Sequence, residues 1–170
     1  MQDTGGGALE FDEVYRLHAD GVYRFCLAQV RDAAAAEDLA ADVFAAAFVA
    51  YARVRPEPAG VRAWLFRIAR NAAIDRARRS HTRMRLLRLL RAETNHHDVE
   101  RDAELRSELR STLDAISRLS ERERLLVGLR IAAGLSYAEV AAVTGMKENA
   151  ARMATTRALN KVRHEVERHE

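Results

Sequence analysis

Residues 120–157 read SERERLLVGLRIAAGLSYAEVAAVTGMKENAARMATTR, and this stretch decides the fold of the C-terminal part of the chain. It contains two Ser-x-x-Glu patterns, Ser120 with Glu123 and Ser136 with Glu139. In such a capping box, the serine hydroxyl accepts a hydrogen bond from an early backbone N–H, and the glutamate reaches back to the capping residue. The two boxes therefore predict two helices, each beginning one residue after its serine.

Two glycines are placed to end these helices, and apolar residues at helical spacing allow the helices to pack together. Gly134 suits the end of the first helix, and Gly145 suits a tight turn that needs a positive φ. A third helix is predicted from about 148 to 166. The apolar residues at helical spacing predict a shared core, and they are Leu125, Leu126, Leu129, Val140, Val143, Met146 and Leu159. This succession is typical of a helix-turn-helix DNA-binding motif.

The last helix carries the candidate DNA-contacting side chains. Early residues of such a helix face base edges in the major groove, and its cationic residues also meet phosphates. The candidates are Lys147, Asn149, Arg152, Thr155, Thr156, Arg157 and Lys161. The threonines are suited to thymine methyl groups or to phosphates. A small helical bundle with a solvated basic face is the alternative interpretation.

Composition favours an all-α protein. The chain has 170 residues, 48% of them hydrophobic and only two of them proline, which allows one ordinary domain or two small ones. No apolar run approaches the length that crosses a bilayer, and we expect a cytoplasmic protein. The single cysteine, Cys26, excludes an internal disulfide and a cysteine-rich zinc site, and is expected to be a small buried apolar residue.

Positive charge is concentrated in two blocks. Residues 62–91 hold 10 arginines and one acid, and residues 122–170 hold nine bases and six acids. The intervening residues 92–121 hold eight acids and four bases, and residues 1–61 hold 10 acids and five bases. This distribution predicts two separate contacts with a polyanion, although the formal net charge of the whole chain is only +3.

The N-terminal half contains three predicted helices. Apolar residues recur at three- and four-residue steps over 11–30, and again from Asp32, a suitable N-cap, to about Arg53. The segment 56–60, PEPAG, predicts a turn, and a third helix is predicted over 61–79. The outward face of that third helix is basic and polar, with Arg67, Arg70, Asn71, Arg78 and Arg79.

These segments predict two small helical domains joined by a flexible linker, the second containing the helix-turn-helix. Their boundaries are a flexible tail over 1–9, a first domain over 10–80, a linker over 81–104 and a second domain over 105–170. The first part of the linker is also compatible with a short amphipathic helix.

An enzyme is not expected. The six histidines show no metal-ligand spacing with cysteine or acids, and no Gly-rich phosphate loop or nucleophile motif is present. The sequence predicts no cofactor, no metal site and no small-molecule substrate.

Four stretches resemble a known family. They are AEDLAADVF over 36–44, WLFRIARNAAIDRARR over 64–79, LSERER over 119–124 and LSYAEVA over 135–141. With them, nearly the whole chain resembles a bacterial extracytoplasmic-function (ECF) RNA polymerase sigma factor. The second stretch is highly specific to this family, whereas many regulators share the helix-turn-helix.

The resemblance implies a role for each segment. A polymerase-docking helix would bind the clamp helices of the largest subunit, using Glu37, Asp38, Leu39, Asp42 and Phe44. The −10 promoter element would be bound and opened by Arg55, Arg62, Trp64, Arg67, Arg70, Asn71, Arg78 and Arg79. The loop over 54–61 would hold a flipped base, the linker would thread toward the polymerase active site, and the last helix would read the −35 element. The implied partners are core RNA polymerase, including its flap, promoter DNA and an anti-sigma factor.

Several assignments stay open at the level of sequence. Trp64 suits the core as well as a flipped base, and Asn71 suits DNA as well as the helix backbone. Asp75 is expected to pair with Arg78 or Arg79. The acidic docking helix could instead be a solvated face, and the whole chain could be a stand-alone helix-turn-helix regulator.

Three departures from the family pattern stand out. Ala41 occupies a position where Gln is common in the docking helix. Lys147 stands where Ser or Thr often caps the recognition helix, so that this helix starts frayed or is capped by Asn149. The segment 150–157, AARMATTR, has fewer long basic residues than its counterparts, which predicts a different −35 specificity.

Overall fold

The computed structural model describes residues 10–89 and 112–168, which are helical and contain no strand, as predicted. None of the helices described is both long and apolar enough to span a membrane. The expected tail and most of the expected linker lie outside the described residues. The helices are α1 (Phe11–Val30), α2 (Ala33–Val54), α3 (Pro58–Leu89), α4 (112–117), α5 (Glu121–Val127), α6 (Tyr137–Thr144) and α7 (Glu148–Glu167), with a π-helical turn, Gly128–Ala132, directly after α5.

Helices α1, α2 and α3 form the first unit, and their ends are set by local interactions. The Asp32 carboxylate accepts a hydrogen bond from the backbone N–H of Ala35 at 2.7 Å, which confirms the predicted cap of α2. Helices α1 and α2 both end at an arginine in the left-handed region, Arg31 with φ 59° and Arg55 with φ 39°. Each of these residues donates its backbone N–H to the carbonyl four residues earlier, so the chain turns without a glycine.

Helix α3 is longer than the sequence pattern predicts. The predicted turn over 56–60 is wrong in its second half, because α3 begins at Pro58. Proline suits the first position of a helix, since the backbone N–H that it lacks would have no partner within the helix there. The start of the predicted linker is helical, since α3 continues to Leu89 through a segment rich in Arg and Leu, both good helix formers, and the sequence analysis allowed a helix there. The hydroxyl of Thr82 bonds to the carbonyl of Arg78 at 3.0 Å within this extension.

Both predicted capping boxes are present in the second unit, which comprises α4 to α7. The hydroxyls of Ser120 and Ser136 accept from the backbone N–H of Glu123 and Glu139 at 3.3 and 3.2 Å. Each serine N–H donates back to its glutamate, at 3.0 and 2.7 Å. Gly145, with φ 74°, ends α6 as the motif requires.

The π-helical turn was not predicted. The N–H of Ala133 donates to the carbonyl of Gly128, five residues earlier, at 2.9 Å. Gly134 follows with φ 67°, and the N–H of Leu135 then bonds to the carbonyl of Leu129 at 3.0 Å. Such a turn widens a helix by one residue and recurs at functional positions.

A single buried core joins the two units. Its largest fully buried side chains come from α1, α2 and α3 and also from α5, the π-helical turn and α6. They include Phe25, Leu39, Leu65, Phe66, Leu126, Leu129, Leu135 and Val140. The two predicted domains are therefore packed against each other, and a smaller cluster of Leu119, Val127 and Ala158 attaches α7 to α5.

Removing either capping hydroxyl should lower stability. Ser120→Ala and Ser136→Ala are each expected to reduce the free energy of unfolding by about 1 kcal/mol, because each leaves an N-terminal N–H of its helix without its side-chain acceptor. Urea denaturation followed by circular dichroism measures this. Ser80→Ala, at an exposed position inside α3, is the matched control, and its change should stay within about 0.5 kcal/mol. Equal stability of all three variants would show that the boxes add nothing.

Candidate nucleic-acid interface

The basic face of α3 is partly exposed and partly engaged. Arg67, Arg78 and Arg79 are exposed, and Arg70 is half-buried. Arg78 lies 3.9 Å from Asp75, which confirms the expected pairing. These exposed guanidinium groups form a positive surface along one helix.

Asn71 is held by its neighbour. Its side-chain oxygen accepts a hydrogen bond from Nη1 of Arg70 at 3.1 Å, while its own surface is exposed. Nε of Arg70 is buried and has no hydrogen-bond partner among the described residues. The two side chains thus form a polar pair beside the arginines, and this pair, not a bond to the helix backbone, orients Asn71.

Trp64 packs with the core. Its side chain is half-buried against the main hydrophobic cluster, and its ring centroid lies 5.8 Å from that of Tyr51. This packing favours the core interpretation over a base-stacking role for the indole in this arrangement.

Arg62 and Arg67 contact the second unit. Nη2 of Arg62 donates to the carbonyls of Ala133 and Gly134 at 2.7 and 2.9 Å. Its Nη1 lies 3.5 Å from the carboxylate of Glu139. Nη2 of Arg67 donates to the carbonyl of Ala142 at 3.3 Å. Both arginines belong to the predicted −10 set, and their partners in the second unit were not predicted from the sequence.

The predicted docking residues on α2 fall into an exposed group and a buried group. Glu37, Asp38 and Asp42 are exposed, and so is Ala41. Leu39 and Phe44 are only 2% and 9% exposed, so the prediction that they contact a partner directly is wrong for this conformation. Their apolar spacing places them on the inner face of the helix, and Phe44 packs edge-on against Tyr15 with ring centroids 4.7 Å apart.

The outer face of α2 also carries apolar residues that the sequence reasoning missed. Phe48 and Val49 are 63% and 68% exposed. The ring of Phe48 packs edge-to-face with that of Phe11, with centroids 5.2 Å apart. They follow Asp38 and Asp42 along the helix, so acidic and apolar side chains share one exposed surface.

Helix α7 presents most of the predicted −35 residues to solvent. Lys147 is its N-cap residue and makes no side-chain capping bond, which agrees with an uncapped start. Arg152 lies 3.2 Å from Glu148, and its guanidinium carbon lies 5.0 Å from the centroid of the Tyr137 ring. The exposed members of the predicted set are Lys147, Asn149, Arg152, Thr156, Arg157 and Lys161.

Thr155 does not belong to this surface. It is fully buried, and its hydroxyl donates to the carbonyl of Ala151 at 2.7 Å. Ala151, Thr155 and Ala158 recur at helical spacing and share the inner face of α7. The predicted DNA contact by Thr155 is therefore wrong in this fold, and the alanine spacing was the sequence signal that could have shown it.

Lys161 is attached to α5. Its ammonium contacts the carboxylate of Glu123, which also completes the capping box of Ser120. The hydrogen bond from Lys161, followed by those from Ser120, lowers the pKa of Glu123 below its ordinary value. Lys161 thus fastens α7 to α5, and its charge is partly compensated there.

Family models match both units. The model described as Sigma-70 region 2 matches residues 14–83, and the one described as Sigma-70, region 4 matches residues 109–162. The two matches cover the basic face of α3 and the helix-turn-helix, respectively.

Curated relatives agree with these matches. The ECF RNA polymerase sigma factor BldN of Streptomyces coelicolor is 34% identical over 158 residues, which cover 91% of this chain and 59% of BldN. The RNA polymerase sigma factor CarQ of Myxococcus xanthus is 33% identical over 164 residues, covering 90% of this chain and 87% of CarQ. This chain thus spans less than two thirds of the length of BldN.

A solved structure shares the fold. The sigma factor RpoE of Bartonella quintana, in complex with the anti-sigma factor NepR, superposes with a TM-score of 0.75 at 23% identity, covering 92% of this chain and 96% of that one. With the matches above, the chain belongs to the sigma-70 family of RNA polymerase sigma factors, in its extracytoplasmic-function group.

Two adjacent threonines of α7 test which face meets DNA. Thr156→Val should weaken binding to a −35 duplex about threefold or more, because its exposed hydroxyl is lost from the contact surface. Thr155→Val should leave the affinity unchanged, since its hydroxyl bonds only within its own helix. Fluorescence anisotropy at fixed salt measures both, with circular dichroism checking the fold. A larger loss for Thr155 than for Thr156 would contradict the assigned face.

Proposed function

We propose that this chain is a promoter-specificity subunit that binds core RNA polymerase, recognises the −35 and −10 promoter elements and helps to open the DNA. The observation that carries the proposal is the pairing, on one chain, of a sigma region 2 match over a basic helix with a sigma region 4 match over a helix-turn-helix. The subunit itself is non-catalytic, because the polymerase supplies the chemistry.

The exposed arginines of α3 suit the −10 element. Opening a duplex costs a few kcal/mol for each unstacked base, and a positive surface that captures the exposed strand offsets this cost. Arg78 and Arg79 are already exposed for such capture. Arg55, exposed in the turn before α3, adds a further positive charge at the start of that helix.

The exposed face of α7 suits the −35 element. Its first nine residues include Asn149, Arg152 and Thr156, which are exposed to solvent in the part of the helix from which a recognition helix reaches base edges. Arg157 and Lys147 add positive charge for phosphates. Binding is expected to fall steeply with salt concentration, because phosphate neutralisation releases counterions.

The exposed surface of α2 suits the polymerase. Glu37, Asp38 and Asp42 provide negative charge for a basic partner surface, and Phe48 and Val49 provide apolar area beside them. A polar rim around an apolar centre is the usual composition of a protein–protein interface. We assign this surface to the clamp helices of the largest subunit, and we assign a contact with the polymerase flap to the second unit.

An anti-sigma factor is the proposed regulator. The RpoE chain that shares this fold is bound to an anti-sigma factor. Here, a groove of about 740 Å³ lies between α3 and α5, with an apolar base that includes Leu125 and Leu126. Of the acidic residues described, only Glu121 lines it, whereas its walls carry Arg31, Arg70, Arg76, Arg78, Arg122 and Arg124. The charge of this groove suits an acidic amphipathic segment of such a regulator.

Transcription in vitro tests the proposal. The protein is added to core polymerase and fragmented genomic DNA from its source, and RNA start sites are mapped. Discrete start sites that share two upstream elements and are absent with core polymerase alone would establish the function. Absence of such sites, combined with tight binding of the protein alone to duplex DNA, would replace it with a stand-alone regulator.

Charge removal on α2 tests the docking surface. Asp38→Ala with Asp42→Ala should weaken binding to core polymerase about tenfold, because two exposed carboxylates that meet a basic surface are lost. Arg152→Ala on α7 is the matched control, and it should weaken −35 recognition while leaving polymerase affinity intact. Surface plasmon resonance against immobilised core polymerase measures the polymerase affinity of both variants. Unchanged polymerase affinity in the double variant would remove α2 from the interface.

A further inference from the structure

Met153 is an exposed apolar residue on α7. It is 62% exposed, and in the described part of the second unit only Ile131, at 60%, is a comparably exposed large apolar residue. The inner face of α7, which packs in the core, is formed by Ala151, Thr155 and Ala158 instead. Met153 therefore does not contribute to the packing of the described fold.

Predicted DNA-contacting residues surround Met153 on the helix surface. Residues three and four positions apart are neighbours on one face of a helix. Asn149 lies four residues before it, and Thr156 and Arg157 lie three and four residues after it. These three neighbours are exposed, and so is Arg152, which directly precedes it. Met153 thus lies at the centre of the face that we assign to the −35 element, and a duplex that covers its neighbours must also cover it.

The two arginines beside Met153 are held by other partners. Nη2 of Arg152 lies 3.2 Å from the carboxylate of Glu148, and its guanidinium carbon lies 5.0 Å from the centroid of the Tyr137 ring. Nε of Arg157 donates to the backbone carbonyl of Met153 at 3.3 Å. Neither guanidinium group covers the methionine side chain, which stays open to solvent. The centre of this face is therefore apolar, and its edge is cationic.

An apolar centre favours one base of the major groove. Thymine presents its C5-methyl group there, whereas guanine, adenine and cytosine present only hydrogen-bonding groups. Methionine is unbranched and adaptable, and its thioether is only a weak hydrogen-bond acceptor, so it packs well on a methyl group but leaves polar base edges without a partner. Of the two threonines that suit a thymine methyl group, Thr155 is fully buried and is not available for this contact.

We propose that Met153 reads a thymine of the −35 element by packing against its C5-methyl group, and so sets the preferred base at one position. This inference rests on the proposed function. Phosphate contacts by cations such as Arg157 supply affinity that does not depend on sequence. The methyl contact of Met153 supplies discrimination between bases.

Uracil in place of thymine isolates this contact, because the two bases pair alike and differ only in the C5-methyl group. A duplex with the −35 element of a promoter mapped by transcription in vitro is prepared with each thymine of either strand replaced in turn. Fluorescence anisotropy measures the affinity of the full chain for each duplex. At one position the wild type should bind uracil about threefold more weakly, as expected for the loss of one buried methyl group. This ratio should not change with salt, since methyl burial releases no counterions.

Three variants assign the preference to its residue. Met153→Ala should bind the thymine and uracil duplexes equally, at about the affinity of the wild type for uracil. Met153→Leu keeps an apolar side chain of similar volume and should retain the thymine preference. Ile131→Ala is the matched control, because it removes a comparably exposed apolar side chain elsewhere in the second unit, and it should leave both affinities unchanged. Circular dichroism checks that each variant is folded.

The outcomes separate this contact from the sigma function. A −35 element without an A·T pair, or a wild-type affinity that uracil changes at no position, would overturn the methyl contact alone. A thymine preference that persists in Met153→Ala would assign the contact to another residue. If that variant instead binds core polymerase more weakly, as measured by surface plasmon resonance, Met153 belongs to a protein interface. Absence of discrete transcription start sites would overturn the proposed function, and the methyl contact with it.

Discussion

The contact between α1 and the π-helical turn at Gly128 constrains the arrangement of everything else. Phe25 and Gln29 approach the backbone of this turn so closely that a side chain at Gly128 would collide with them. This approach brings the carbonyls of Ala133 and Gly134 within reach of Arg62 and joins the apolar faces of both units into one core. The position of the helix-turn-helix relative to α3 is therefore set by a close packing of backbone against side chain.

Arginine is suited to both settings in which it occurs on α3, the contact with the second unit and the exposed face. Its guanidinium group has five donors in a planar arrangement, which match carbonyls, carboxylates and phosphates alike. Arg62 bonds to two carbonyls and lies near the carboxylate of Glu139, whereas Arg78 and Arg79 on the same helix are exposed. Part of the basic face is thus engaged inside the protein, and part is available to a polyanion.

Burial explains where residue-by-residue expectations hold and where they are wrong. Arg152 and Thr156 lie on the exposed face of α7, as the motif predicts, whereas Thr155 lies on the inner face because its neighbours at helical spacing are buried alanines. Leu39 and Phe44 of α2 are likewise buried on the inner face of their helix. A family motif records which residues recur together, but the recurrence of an apolar residue reflects packing as often as contact with a partner.

The sequence by itself determined the local structure of this chain. The serine and glutamate spacing, Asp32 and Gly145 specify helix boundaries through bonds between near neighbours, and such bonds do not depend on the rest of the fold. Tertiary structure alone decided that α3 packs on the helix-turn-helix and that the helix after Ser120 widens at Gly128. The hydrogen bonds from Arg24, Arg62 and Arg67 to the second unit join residues more than 70 positions apart, and their acceptors are backbone carbonyls, which every residue carries. No pattern of side chains marks such acceptors, so their partners emerge only when the units are packed together.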